Sequence, residues 1–309
     1  MNNNSWLVIA HISDRIELGE FNKTFKKVKK NVSETTDVYV ISIYRTKGTI
    51  MRITNKSQMI IKIFYQKDDS QKKWCKKMVQ FVLKLCKPIA MTYYGHGGAV
   101  VVGPWNKPWM GLKAFNEIFI KTVKPEIMAF DSCYLGSIVT LYEIEQNVKL
   151  VLASPAWHPG SSISELKLFG ALPKYTSATK KAVLAKYAIA LSCEFSTIKR
   201  LPKYSCLVAF DLTNLDKIVK KIDHLELIDD NNLKLRDPNT YDLLASVNPK
   251  VSKQLSTIVL SKRCMSRCPL TIKGASVSYH DKHDVWNKHF KETKWGKFTR
   301  TIDITHISK

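Results

Sequence analysis

Five short apolar runs recur along the chain: Trp6–Ala10, Asp37–Ile43, Ile89–Tyr94, Glu126–Phe130 and Lys149–Ala153. Segments with helical apolar spacing separate most of them, such as Gln71–Cys86, with Trp74, Met78, Phe81, Val82 and Leu85 on one face. Strands that are apolar on both faces, alternating with helices, predict a mainly parallel sheet covered on both sides. Two of the runs end on reactive side chains. Ile89–Tyr94 leads into Gly95-His96-Gly97-Gly98, and Glu126–Phe130 leads into Asp131-Ser132-Cys133. If these strands are neighbours, an imidazole and a thiol meet at the carboxyl edge of the sheet, where open α/β sheets gather ligands and chemistry.

The 309 residues suffice for one large domain. We expect a single domain over 1–309, with a core of 1–175 bearing the reactive pair and a subregion of 176–309. In the latter, helices are predicted over Ser177–Glu194, Leu215–Leu227, Tyr241–Leu260 and Val285–Phe298, with strands over Ser205–Phe210 and Ile272–Tyr279. Earlier in the chain, Thr49–Ile53 and Met59–Phe64 read as a hairpin or edge segment. Phe115–Val123 reads as a helix, and Leu135–Gln146 as one beginning immediately after Cys133. A hydrophobic fraction of 45% excludes general disorder. No apolar run is long enough to span a bilayer, and no basic region precedes Trp6–Ala10, so an intracellular protein without membrane association is expected.

Seven cysteines show no framework spacing and read as reduced. Cys264-x3-Cys268 with His280-x2-His283 approaches zinc-ligand spacing, but the strand between the pairs argues against a metal site. His11 and His224 read as structural, and His158 as a loop histidine near the reactive pair. The net charge of +23, from 49 basic and 26 acidic residues, is spread along the chain. It reads as a solvated surface with weak general polyanion or nucleic-acid affinity.

A thiol ahead of a helix, with an imidazole beside it to take its proton, suits nucleophilic acyl transfer. Gly97 and Gly98 leave backbone open beside the imidazole. The N–H groups of Gly97 and Cys133 are then candidates for an oxyanion hole. A carboxylate two residues before the cysteine, Asp131, reads by itself as a helix cap.

These residues carry a resemblance. Tyr94-Gly95-His96-Gly97-Gly98 and Asp131-Ser132-Cys133-Tyr134-Leu135-Gly136 resemble the two active-site segments of clostripain-type cysteine peptidases, within the group sharing the caspase–gingipain–legumain fold. Further ordered matches are Leu152-Ala153-Ser154, Ser205–Asp216, Gly274–Tyr279 and Trp295-Gly296-Lys297-Phe298. The resemblance implies a caspase-like three-layer sandwich with a helical C-terminal subregion. It implies a cysteine endopeptidase that forms a thioester acyl-enzyme through the dyad His96 and Cys133. It also implies that Asp131 lies in a pocket selecting Arg or Lys at P1, with Ser154 and Trp157 nearby. No cofactor is required by this reading, and calcium is a candidate by resemblance. The chain departs from the family at Ser13-Asp14-Arg15-Ile16 and at Pro155-Ala156-Trp157. Self-cleavage at a basic residue among Lys107, Lys113, Lys121 and Lys124 is conceivable by the same resemblance. The alternatives are a catalytically weak relative that binds or assembles with partners, and a polyanion-binding basic protein.

Overall fold

The protein is described by a computed structural model that covers residues 4–66, 70–104, 109–156, 158, 163, 166–198, 205–229, 240–242, 247–264, 275–278 and 287–308. Strand β1 (Asn4–Ile12) enters helix α1 (Arg15–Asn31), followed by β2 (Thr36–Tyr44), β3 (Lys47–Ile53), β4 (Gln58–Tyr65) and helix α2 (Gln71–Leu85). Next come β5 (Ala90–Tyr94) and three short strands, β6 (His96–Gly98), β7 (Val101–Gly103) and β8 (Met110–Gly111). Strands β9 (Ile127–Asp131), β10 (Leu150–Ala153), β11 (Cys206–Asp211), β12 (His224–Asp229), β13 (Thr240–Asp242), β14 (Val259–Cys264), β15 (Ser276–Ser278) and β16 (Asp303–Ser308) follow.

Nine strands form one sheet in the order β14-β11-β10-β9-β5-β1-β2-β3-β4. Its middle, from β10 to β2, is parallel; each flank adds two antiparallel strands. In β1, Leu7 and Ile9 face one core while Trp6, Val8 and Ala10 face the other. The first core is closed by α2 through Trp74, Met78 and Val82, by Phe115 and Phe119, and by the helix Ile138–Ile144. The second is closed by α1 through Phe21, Phe25 and Val28, and by the helix Lys180–Phe195 through Leu184, Leu191 and Phe195. The architecture is the expected α/β three-layer sandwich.

Several local expectations are corrected. The helix after Cys133 starts at Ile138, not beside the cysteine; Ser137 is its N-cap, with Oγ accepting from the Thr140 N–H at 3.2 Å. Gly136 and a left-handed Tyr134 at φ 58° occupy the intervening turn. The C-terminal part mixes helices and strands as expected, but the long helix expected over Tyr241–Leu260 is not formed: its described residues fall mainly in β13, the helix Pro249–Ser256 and the start of β14. Leu215–Leu227 divides likewise into the helix Leu215–Val219 and β12. The segment Val285–Phe298 yields two short helices, Asn287–Glu292 and Lys294–Phe298. Helix α1 was not anticipated. Its signals are Asp14, whose Oδ1 accepts from the Glu17 N–H at 2.8 Å, and the Phe21, Phe25, Val28 stripe in a lysine-rich setting.

Candidate active site

The parallel register pairs Tyr94 of β5 with Asp131 of β9. His96 and Cys133 each lie two residues beyond that pair, so the topology carries both to the same edge. Gly97 shows how closely the two turns approach. A Cβ there would lie 2.7 Å from the Cys133 carbonyl oxygen and would also meet Ser132 Oγ. Only glycine permits that contact. Gly95 has φ +151°, and a Cβ on it would collide with Tyr93 Oη at 2.7 Å. The Tyr93 hydroxyl instead donates to the His96 carbonyl at 3.1 Å. Trp109 stands edge-on to the His96 ring, with centroids 6.5 Å apart.

The cysteine turn is fixed from below. The Gly136 and Tyr134 N–H groups donate to the Ser154 and Ala156 carbonyls at 2.7 and 2.9 Å. Ser154 is buried, and its Oγ donates to the Ala156 carbonyl at 3.1 Å, so its side chain shapes the loop. The helix Ile138–Ile144 holds the histidine segment: Thr140 Oγ1 and Ser137 Oγ donate to the Ala99 carbonyl at 3.1 and 3.4 Å. The downstream matching segments fasten this helix. Tyr142 Oη donates to Asp216 Oδ1 at 3.1 Å, Trp295 packs edge-on to Tyr142, and the Lys294 N–H donates to Glu143 Oε2 at 2.8 Å.

His158 is the site residue whose part was not foreseen. Its Nε2 lies 3.1 Å from Asp131 Oδ1, and both side chains are 0% exposed. Asp131 Oδ2 accepts from the Ile163 N–H at 3.2 Å. The imidazole stacks on Phe195 at 5.4 Å and 13°. The backbone of His158 embraces the thiol: the Cys133 S–H donates to its carbonyl at 3.2 Å, and its N–H donates to Sγ at 3.3 Å. Burial pushes the Cys133 thiol up to about 11; the His158 N–H opposes this and the Asp131 charge adds to it. The thiol is therefore protonated at neutral pH, and activating it requires a base. The clue in the sequence was the position of Trp157-His158-Pro159 directly after the Ala153-Ser154 strand end.

Of the expected site residues, Gly97 packs against the Cys133 carbonyl with His96 next to it in the chain, Asp131 and Ser154 are buried, and Trp157 falls outside the described residues. Of the near-zinc set, Cys268, His280 and His283 also fall outside them. Among the described residues no group of three or more His, Cys, Asp or Glu is arranged to hold a metal ion. No helix among them is long and apolar enough to cross a membrane.

Solved structures share this α/β fold over nearly their whole length. A secreted C11 cysteine protease from Bacteroides thetaiotaomicron, iotapain, superposes with a TM-score of 0.73 at 16% identity, over 97% of this chain and 100% of that one. A secreted C11 cysteine protease of the same organism, bound to an irreversible peptide inhibitor, gives 0.68 at 14%, over 96% and 99%. An inactive zymogen C11 protease from Parabacteroides distasonis gives 0.70 at 11%, over 96% and 98%. The chain thus has the fold of C11, or clostripain-family, cysteine proteases. No family model matches the sequence, and no curated protein does. Because two of these neighbours are secreted, the likeness lends no weight to the intracellular expectation.

Proposed function

We propose that the chain is a cysteine endopeptidase that hydrolyses peptide bonds after Arg or Lys. The observation that carries this reading is the contact of Gly97 with the Cys133 carbonyl, which fixes the imidazole turn against the thiol turn in a C11 fold. In the reaction, His96 takes the Cys133 proton while Sγ bonds to the substrate carbonyl carbon and the carbonyl π pair moves to oxygen. The Gly97 and Cys133 N–H groups are the donors assigned to that oxyanion. When the tetrahedral species collapses, the C–N bond breaks and the leaving amine takes the proton from His96. Water, deprotonated by His96, then cleaves the thioester and restores the thiol.

Asp131 is assigned the selection of a basic P1 side chain, because a buried carboxylate favours a cation and leaves a neutral side chain unpaired. In the resting site His158 occupies that carboxylate. A P1 cation therefore takes the place of the His158 ring on Asp131, and binding includes a shift of that ring. Trp157 is assigned to the pocket wall. A second reading, a relative of low catalytic power that binds basic segments, is favoured by the raised, doubly held thiol.

The test is hydrolysis of fluorogenic peptides with Arg, Lys, Asp or Asn at P1 by the wild type and Cys133→Ala, with calcium supplied. Cleavage after Arg or Lys that disappears in Cys133→Ala supports the first reading. Folded protein that cleaves none of them but binds a basic peptide supports the second.

A further inference from the structure

Strand β4 closes the sheet on the side away from the cysteine, four strands from β5, or about 19 Å at ordinary strand spacing. Among the described residues its outer backbone edge has no strand partner. Proteins normally blunt such an edge, yet here it carries large apolar side chains in the open. Met59 is 52% exposed, Ile60 61%, Ile63 38% and Tyr65 62%. A groove of about 860 Å³ runs along one face, lined by Leu18, Phe21, Lys26, Lys47, Met59 and Ile60 among others. A second, of about 660 Å³, lies on the other face between Phe64 and Phe81, with Lys77 and Lys84 at its walls. Among the described residues no acid lines either groove. Lys62 adds another exposed cation on the strand.

We propose that β4 is a docking edge for an extended segment of a protein partner whose apolar side chains alternate with acidic ones. The free edge supplies main-chain hydrogen bonds to an added tenth strand, and the grooves accept side chains above and below the sheet. The lysines select the charge. A second copy of this chain is the poorer occupant, because self-pairing would bring Lys26, Lys47 and Lys62 of both copies together on a +23 protein. A segment held here leaves the cysteine edge uncovered. The surface therefore adds one specific attachment for an acidic protein during turnover to the general attraction of the basic exterior.

Three labelled eight-residue peptides test this by fluorescence anisotropy at physiological salt: alternating Val and Glu, alternating Ser and Glu, and alternating Val and Ser. None contains a basic residue, so none is a substrate under the proposed specificity. The Val/Glu peptide is expected to bind at least about tenfold more tightly than either control. It should also slow amide exchange at 58–65 and lose that binding in Ile60→Glu/Ile63→Glu. Ile60→Ser/Ile63→Ser, which keeps the charge and removes only the apolar contact, is expected to weaken it as well, with melting temperatures of both variants near wild type. Equal binding of the Val/Glu and Ser/Glu peptides, or exchange protection elsewhere, would overturn the proposal. So would concentration-dependent dimerisation, or binding to phosphatidylserine vesicles, that vanishes in the variants while the peptide fails to bind.

Discussion

The Cys133 thiol donates to the carbonyl of His158, whose imidazole is held by the buried Asp131 carboxylate. One residue thus restrains the nucleophile with its backbone and covers the assigned selector with its ring. If P1 cations displace that ring, His158→Ala should lower KM for Arg substrates while costing stability. Asp131 would lose a partner in a fully buried site, and the cost is expected at about 3 kcal/mol. Urea unfolding read beside KM checks both parts, and an unchanged KM would remove His158 from the selection step.

Asp131→Asn is expected to lower the thiol pKa, since the carboxylate charge adds to the effect of burial at Cys133. The pH profile of iodoacetamide alkylation should have its midpoint near 11 in the wild type and lower in the variant. The variant should also lose its preference for Arg over neutral P1 residues. A midpoint that stays in place would show that the charge does not reach the sulfur.

Gly97→Ala forces a methyl group against Ser132 and the Cys133 carbonyl. The turns must separate, and misplacement by about 1 Å costs roughly 100-fold in rate. Activity is expected to fall by that order, and the melting temperature to fall as well, because the methyl also presses on the buried core residue Leu135. Full activity in the variant would exclude the close approach as a catalytic requirement.

His11 is buried between Tyr93 and Phe119, and burial lowers its pKa to about 4. The unfolded chain takes up this proton near the ordinary value of 6.5 while the folded protein does not. Stability from this residue is therefore full above about 6.5 and falls as pH drops toward 4, by about 3 kcal/mol. His11→Leu should flatten the acid limb of a plot of unfolding free energy against pH. An unchanged limb would place the acid sensitivity elsewhere.

The parallel middle of the sheet was legible because Leu7, Val8 and Ile9 alternate between two buried faces, which leaves an unbroken apolar run in the sequence. His96 and Cys133 were legible as strand-end residues with glycines beside the histidine. The start of the next helix was not, because Tyr134 adopts a left-handed turn that its side chain does not announce. The bond from His158 to Asp131 spans 27 positions, which no local pattern encodes. Met59–Phe64 was foreseen as an edge segment, but its exposure was not: the same apolar letters describe a covered strand and a bare one.

The stacking of His158 on Phe195 also sets an order of events during synthesis. The histidine and cysteine turns leave the ribosome well before the helix Lys180–Phe195 that shelves the His158 ring. A nascent chain halted between them lacks the shelf beneath the His158 ring, which forms only when a helix made later docks against it.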